Sequence, residues 1–208
     1  MSRLVEIHPT DPQQRLVDKV VDRLRDGGVV AMPTDSGYAL VTTMGNKDGL
    51  ERIRRIRGVG EEHHFTLLCH DFAQLGNLVI VDNRFFRLVK SLTPGPYTFI
   101  FKGTKEVPKV SLNAKKSTIG ARIPDHKVTQ TILAAMGEAL ISSTLILPGE
   151  DELLTEGWRV QDELGDAVDL VIDGEIDEPL PTSVIDLSSG EAMIAREGAG
   201  DLSMFVEA

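Results

Sequence analysis

A single cysteine, Cys69, stands among the 208 residues, so neither an intrachain disulfide nor a multi-cysteine zinc site is possible, and this usage fits a reducing compartment. Long apolar runs are missing too. None approaches the ~20 residues a helix needs to cross a bilayer. The stretch from Met1 to Gln14 is polar, with a charge every few residues. The expectation is a cytoplasmic protein, neither secreted nor membrane-spanning. With no Gly-x-Gly-x-x-Gly fingerprint and no P-loop, the sequence supports neither a Rossmann cofactor site nor a Walker-type ATPase. Positive charge is in short supply, 22 Lys and Arg against 32 Asp and Glu. The net charge of −10 argues against a protein that binds nucleic acid over its whole surface.

What is present describes a folding chain. The 41% hydrophobic and 26% charged fractions are those of an ordinary globular protein, and the length suits one domain over residues 1–208, with its core at about 10–200. The charge is uneven along the chain. Arg84, Arg87, Lys90, Lys102, Lys105, Lys109, Lys115, Lys116, Arg122 and Lys127 face only Glu106 and Asp125, whereas from Glu150 onward the cations are Arg159 and Arg196. The basic middle reads either as a solvated face or as a strip for phosphates.

Periodicity places the elements. Leu16, Val17, Val20, Val21 and Leu24 recur at helical spacing before the stop at Gly27-Gly28. Val29 to Met32 forms a buried strand that meets a loop at Pro33. Leu50, Ile53 and Ile56 mark a second helix, carrying Arg52, Arg54, Arg55 and Arg57 and ended by Gly58 and Gly60. Further strands are expected at Phe65 to Cys69, Tyr97 to Lys102, Ser117 to Ile123, Leu140 to Leu147, Val168 to Ile172, Ser183 to Leu187 and Met193 to Ala195. Helices are expected around Phe85 to Val89, over Val128 to Met136, and over the acidic stretch Asp151 to Asp166. Strands and helices mix without a repeat, which predicts one α/β domain on a mixed, twisted sheet.

Three segments bear on chemistry. In Pro33-Thr34-Asp35-Ser36-Gly37-Tyr38, two hydroxyls and a carboxylate stand at a strand end, where ligands of α/β proteins gather. The same residues suit a hydroxyl-bonded turn or a helix cap equally well. Arg55 and Arg57 at a helix end suit a phosphate clamp, or simply complement the helix dipole. His63, His64, His70 and Asp71 contain metal-binding chemistry. Adjacent histidines on an extended segment point apart, however, so no metal site is expected. Cys69 ends an apolar strand and reads as a core residue.

The ordered set of segments resembles the YrdC-like family. Pro33 to Leu40 is similar to its Pro-Thr-Asp-Thr-x-Tyr-Gly-Leu signature, and the helix to Arg57 to its Lys-x-Arg element, with Arg55 at the lysine position. Pro94 to Thr98, Gly120 to Pro124, Pro181 to Asp186 and Ala195 to Ala199 resemble its later motifs in order. The His-Phe-Thr-Leu and Thr-Pro-Gly-Pro-Tyr-Thr-Phe-Ile stretches resemble its YciO subgroup.

The resemblance implies an α/β sheet with a concave basic cavity and a capacity to bind double-stranded RNA or tRNA. It also implies the chemistry of synthases that join L-threonine, bicarbonate and ATP into threonylcarbamoyl-adenylate and pyrophosphate, a stage of tRNA t6A modification. No cofactor would be tightly bound; Mg²⁺ would arrive with ATP, and AMP is the alternative ligand. On that reading Thr34, Ser36 and Tyr38 shape the threonine end, and Arg55, Arg57, Thr182 and Arg196 hold phosphates. Arg122 pairs with a carboxylate or carbamate, and Thr66, Thr144 and Ser183 complete the site. One departure matters. The synthases carry Thr-Ser-Ala-Asn where this chain has Ser143-Thr144-Leu145-Ile146, so an amide is replaced by a side chain that makes no hydrogen bond. With Arg55 for lysine, this implies weak or altered activity.

Overall fold

The computed structural model describes residues 3–150, 152–174, 176 and 179–206. In chain order the elements are β1 (Arg3–Glu6), α1 (Gln14–Arg25), β2 (Val30–Pro33), β3 (Tyr38–Thr43), α2 (Lys47–Arg57), β4 (Thr66–Leu68), α3 (Phe72–Leu78) and β5 (Val79–Ile80). There follow α4 (Asn83–Ser91), β6 (Tyr97–Gly103), β7 (Thr118–Arg122), α5 (Lys127–Met136), β8 (Leu140–Thr144), α6 (Gly157–Leu164), β9 (Leu170–Asp173), β10 (Ser183–Asp186), β11 (Met193–Arg196) and α7 (Ser203–Val206).

All the strands join one mixed sheet in the order β1-β9-β2-β3-β8-β4-β7-β6-β10-β11, with β5 paired to β6. The fold is the mixed α/β architecture that the alternation of elements predicts. Helices cover both faces, which explains the uninterrupted apolar run of β2. Val29 and Ala31 enter one core, and Val30 and Met32 the other. On one side α1 and α5 bury Val17, Val20, Leu24, Ile132 and Leu133. On the other, α2 contributes Leu50 and Ile53 to the larger core, together with Phe99 and Phe101 of β6.

The structure departs from expectation in places. β1 pairs with β9 in parallel, although its sequence does not alternate cleanly: Val5 is buried while Arg3 and Glu6 are exposed. β3, α3 and the short β5 were not predicted. The acidic stretch is not helical throughout. Asp151 lies outside the described residues, and α6 begins at Gly157, because Leu154 drops into the core and the Thr155 carbonyl accepts the Ile176 N–H. The strand expected through Leu147 ends at Thr144. There the carbonyls of Thr144 and Ile146 are taken by Arg57 rather than by a neighbouring strand.

Candidate functional site

Side chains alternate across a strand, and the central strands use this to build a cavity. Leu67, Phe99, Ile119, Ala121 and Ile141 point into the larger core. The residues between them form the cavity floor: Thr66 of β4, Thr98 and Ile100 of β6, Gly120 and Arg122 of β7, and Ser142 of β8. The register sets Thr66 beside Gly120 and Ser142, and Ile100 beside Gly120. Gly120 keeps this floor open, since a Cβ there would stand 2.7 Å from the Thr66 Oγ1 and 3.2 Å from the Thr98 Cγ2. The cavity encloses about 230 Å³.

Its charge is one-sided. Arg57, Arg122, Arg196, His63 and His64 line it, and among the described residues no carboxylate does. Each arginine is fixed along one part of its guanidinium. Arg57 donates through Nε to the Ile146 carbonyl (3.0 Å) and through Nη1 to the Ser143 Oγ (2.7 Å) and the Thr144 carbonyl. Arg196 donates from Nε and Nη2 to the Thr182 carbonyl, and from Nη2 to its Oγ1. The Arg57 Nη2 and Arg196 Nη1 groups make no hydrogen bond among the described residues, so both arginines are held while keeping donors for a ligand. Burial lowers the pKa of each from the usual arginine value.

Arg122 is deeper. It donates to the Ser36 Oγ (2.8 Å) and forms an ion pair with Asp35. Burial pushes its pKa down and the Asp35 charge opposes this. The pair is incompletely satisfied, since Asp35 Oδ2 and Arg122 Nε are buried without partners. Such a network is a poor investment for stability and a common feature of sites.

The hydroxyls behave in two ways. Thr34 makes the hydroxyl-bonded turn that its sequence allows: its Oγ1 donates to the Gly37 carbonyl (2.7 Å) and accepts the Ser36 N–H (3.2 Å). Gly37 sits at φ +146°, where L side chains rarely go. This turn aims Ser36 at Arg122, so the turn and the site are one structure. Thr66 and Thr144 line the cavity. The Thr182 Oγ1 lies 2.9 Å from the Thr98 Oγ1.

Two of the residues expected at the site, Ser183 and Arg55, have other surroundings, while Tyr38 lines the cavity with its hydroxyl tied to neighbouring backbone. The Tyr38 hydroxyl donates to the Ile172 and Gly174 carbonyls (3.0 and 2.7 Å), and burial holds its pKa far above the ordinary tyrosine value. Ser183 is buried, donating to the Gly200 carbonyl and accepting the Gly198 N–H. Arg55 is exposed on α2 and does not line the cavity, because Leu50 and Ile53 fix which face of the helix meets the core. Ile146 does line it.

His63 enters the site unexpectedly. Its Nε2 lies 2.8 Å from the Ser143 Oγ, and its ring meets Phe65 edge-on at 5.3 Å. Burial first, then the charges of Arg57, His64 and Arg54, push its pKa down to about 4, against the opposing pull of Glu62. His64 is 3.2 Å from the Asn113 Nδ2, and His70 meets Gln130, so the histidines serve separate places. The signal for His63 was its position on the loop between the arginine helix and a floor strand.

Comparison with known proteins places this geometry. The Sua5/YciO/YrdC family model, described as "Telomere recombination", matches residues 22–198. The uncharacterized protein YciO of Escherichia coli (strain K12) is 46% identical over 206 residues, which is 99% of this chain and all of that one. The crystal structure of E. coli YciO superposes with a TM-score of 0.94, covering 99% of this chain and 100% of that one. Threonylcarbamoyl-AMP synthase of Vibrio vulnificus (strain YJ016) is 28% identical over 165 residues, 78% of this chain and 88% of that one. P. abyssi Sua5 complexed with L-threonine is 21% identical and shares the fold at a TM-score of 0.86, this chain matching 60% of its length. The chain belongs to the Sua5/YciO/YrdC family.

Proposed function

We propose that the cavity is a substrate site of the threonylcarbamoyl-adenylate synthase type, in which L-threonine, bicarbonate and ATP give threonylcarbamoyl-adenylate and pyrophosphate. The carrying observation is the pair of anchored arginines, Arg57 and Arg196, which line one cavity free of described carboxylates and each keep a donor group unbonded. Phosphates would take those donors. Arg122 offers its charge to a carboxylate or carbamate, and Ser36, Thr66 and Thr144 orient small polar groups. A volume of about 230 Å³ suits an amino acid and phosphates and leaves the adenosine at the mouth. The threonine complex of Sua5 and the synthase activity of the Vibrio relative support this reading.

Catalysis would rest on positioning and charge: the carbamate attacks the α-phosphate of ATP, which brings its Mg²⁺, and pyrophosphate leaves. Ile146 in the cavity wall withholds a hydrogen bond. A missing contact of ~1–3 kcal/mol slows such a reaction about five- to 150-fold. Calorimetric titration with ATP, then L-threonine, tests the site. Arg57→Ala should weaken ATP binding at least about tenfold, the scale of one charged hydrogen bond; unchanged affinity would overturn the assignment.

A second reading, binding of double-stranded RNA or tRNA, has its own support. Lys115 and Lys116 donate their backbone N–H groups to the Asn113 Oδ1, and the Asn113 amide meets His64 at the cavity wall. Exposed lysines therefore stand on a loop tied to the site. RNA affinity that falls steeply with salt, and drops when Lys109, Lys115 and Lys116 are replaced by Ala, would favour this reading. ATP affinity should fall less with salt.

A further inference from the structure

His63 is separated from Arg57 by one shared atom. The Ser143 Oγ accepts a hydrogen bond from the Arg57 Nη1 at 2.7 Å and stands 2.8 Å from the His63 Nε2, while the His63 Nδ1 makes no hydrogen bond among the described residues. The charged and titratable groups around the imidazole are nearly all basic: Arg54 and Arg57 from α2, His64 on its own segment, and Arg122 and Arg196 in the same cavity wall. Glu62 is the opposing carboxylate. We propose that His63 is the proton-bearing member of the anion site, so that an anion held on the unoccupied donors of Arg57 is bound together with a proton on His63.

The inference rests on reading the cavity as an anion site and adds a ligand group to it. Without an anion, burial first and then the positive surroundings keep the imidazole neutral, with its pKa near 4. An anion beside Arg57 reverses the local field and favours imidazolium. The hydrogen bonds then rearrange without moving heavy atoms. Protonated His63 donates through Nε2 to the Ser143 Oγ, which already accepts from Arg57, so the Ser143 O–H is released to point at the anion. The Nδ1–H becomes another donor. In the reaction proposed above, threonine ammonium and bicarbonate give the carbamate, water and one proton. The proton that a loaded His63 carries is the one this step releases, taken up by the imidazole while it is still neutral.

Sulfate is a suitable probe because it does not titrate over the range used. The His63 imidazole resonance, identified by its loss in His63→Gln, is followed from pH 4 to 9 in saturating sulfate and in chloride of equal ionic strength. Sulfate should raise the His63 midpoint by about one unit, corresponding to about tenfold tighter sulfate binding at acid than at alkaline pH. Arg57→Ala should abolish the rise, and His63→Gln should bind sulfate with an affinity nearly flat in pH. Sulfate binding that shifts cavity resonances but leaves the His63 midpoint in place would overturn this inference and spare the anion site. Failure of sulfate to bind the cavity at all would overturn both. A pH dependence that survives in His63→Gln would assign the proton elsewhere and overturn the inference.

Discussion

Arg57 shows how a surface residue type becomes part of a site. Two carbonyls and a hydroxyl immobilise its Nε and Nη1, so its rotamer entropy is lost on folding rather than on binding, and Nη2 keeps its donors. Arg122 shows the opposite balance, buried charge against buried charge with an atom of each partner unsatisfied. Removing one member of such a pair leaves the other charge stranded. Asp35→Ala should therefore lower stability by ~3–5 kcal/mol, read from the urea midpoint at constant slope. An unchanged midpoint would mean that the pair contributes nothing to the fold. At this scale the sequence named Arg57 and the Thr34 turn while leaving each between two readings, and reached Arg196 only through the family resemblance. It was silent on direction. Nothing in the order of residues says that the Tyr38 phenol reaches back to the Ile172 and Gly174 carbonyls, or that Arg55 lies on the exposed side of α2. His63 was weighed only as a metal ligand, because its neighbour Ser143 is 80 residues away in the chain.

Among the elements, the floor strands decide the shape of the cavity. Thr66, Gly120 and Ser142 share one face, and the opposite face carries Leu67, Ala121 and Ile141 into the core. The fold therefore depends on one set of positions and the cavity on the other. Gly120→Val should fill the floor, sharply weakening ATP binding while the far-UV circular dichroism stays native. Native ATP affinity in that variant would place the ligand elsewhere. α1 and α5 were legible because one buried stripe recurs at helical spacing, and β2 and β7 because burial on both faces leaves its mark in composition. β1 and β5 were not, since a short edge strand or a two-residue pairing is made by its neighbour. The helix read into the acidic stretch is present only from Gly157 to Leu164, because composition reports helix propensity, whereas Leu154 and the Thr155 carbonyl are used in tertiary contacts.

For the whole molecule, charge is segregated by depth as well as along the chain. The net charge is −10, the lysines from Lys102 to Lys127 are exposed, and from that basic run only Arg122 reaches the cavity. The surface average thus conceals the cationic interior of the site. The same interior sets a pH window. His63 is neutral in the folded state down to about pH 4, whereas an unfolded histidine takes a proton below about 6.5. The unfolded state binds more protons between these values, so stability from this group is complete above pH 6.5 and declines as pH falls toward 4. Half-buried His126, whose pKa burial also lowers, acts with the same sign. Urea midpoints should fall across this window, and less in His63→Gln; identical profiles would remove His63 as a cause.

The central claim is that this cavity performs adenylate chemistry on threonine, weakened by one apolar residue. It is tested most directly by pyrophosphate release from ATP with L-threonine and bicarbonate. The account predicts slow threonine-dependent release by the native chain, faster release by Ile146→Asn, and none by Arg57→Ala. No threonine-dependent release from either the native chain or Ile146→Asn, or undiminished release from Arg57→Ala, would contradict it.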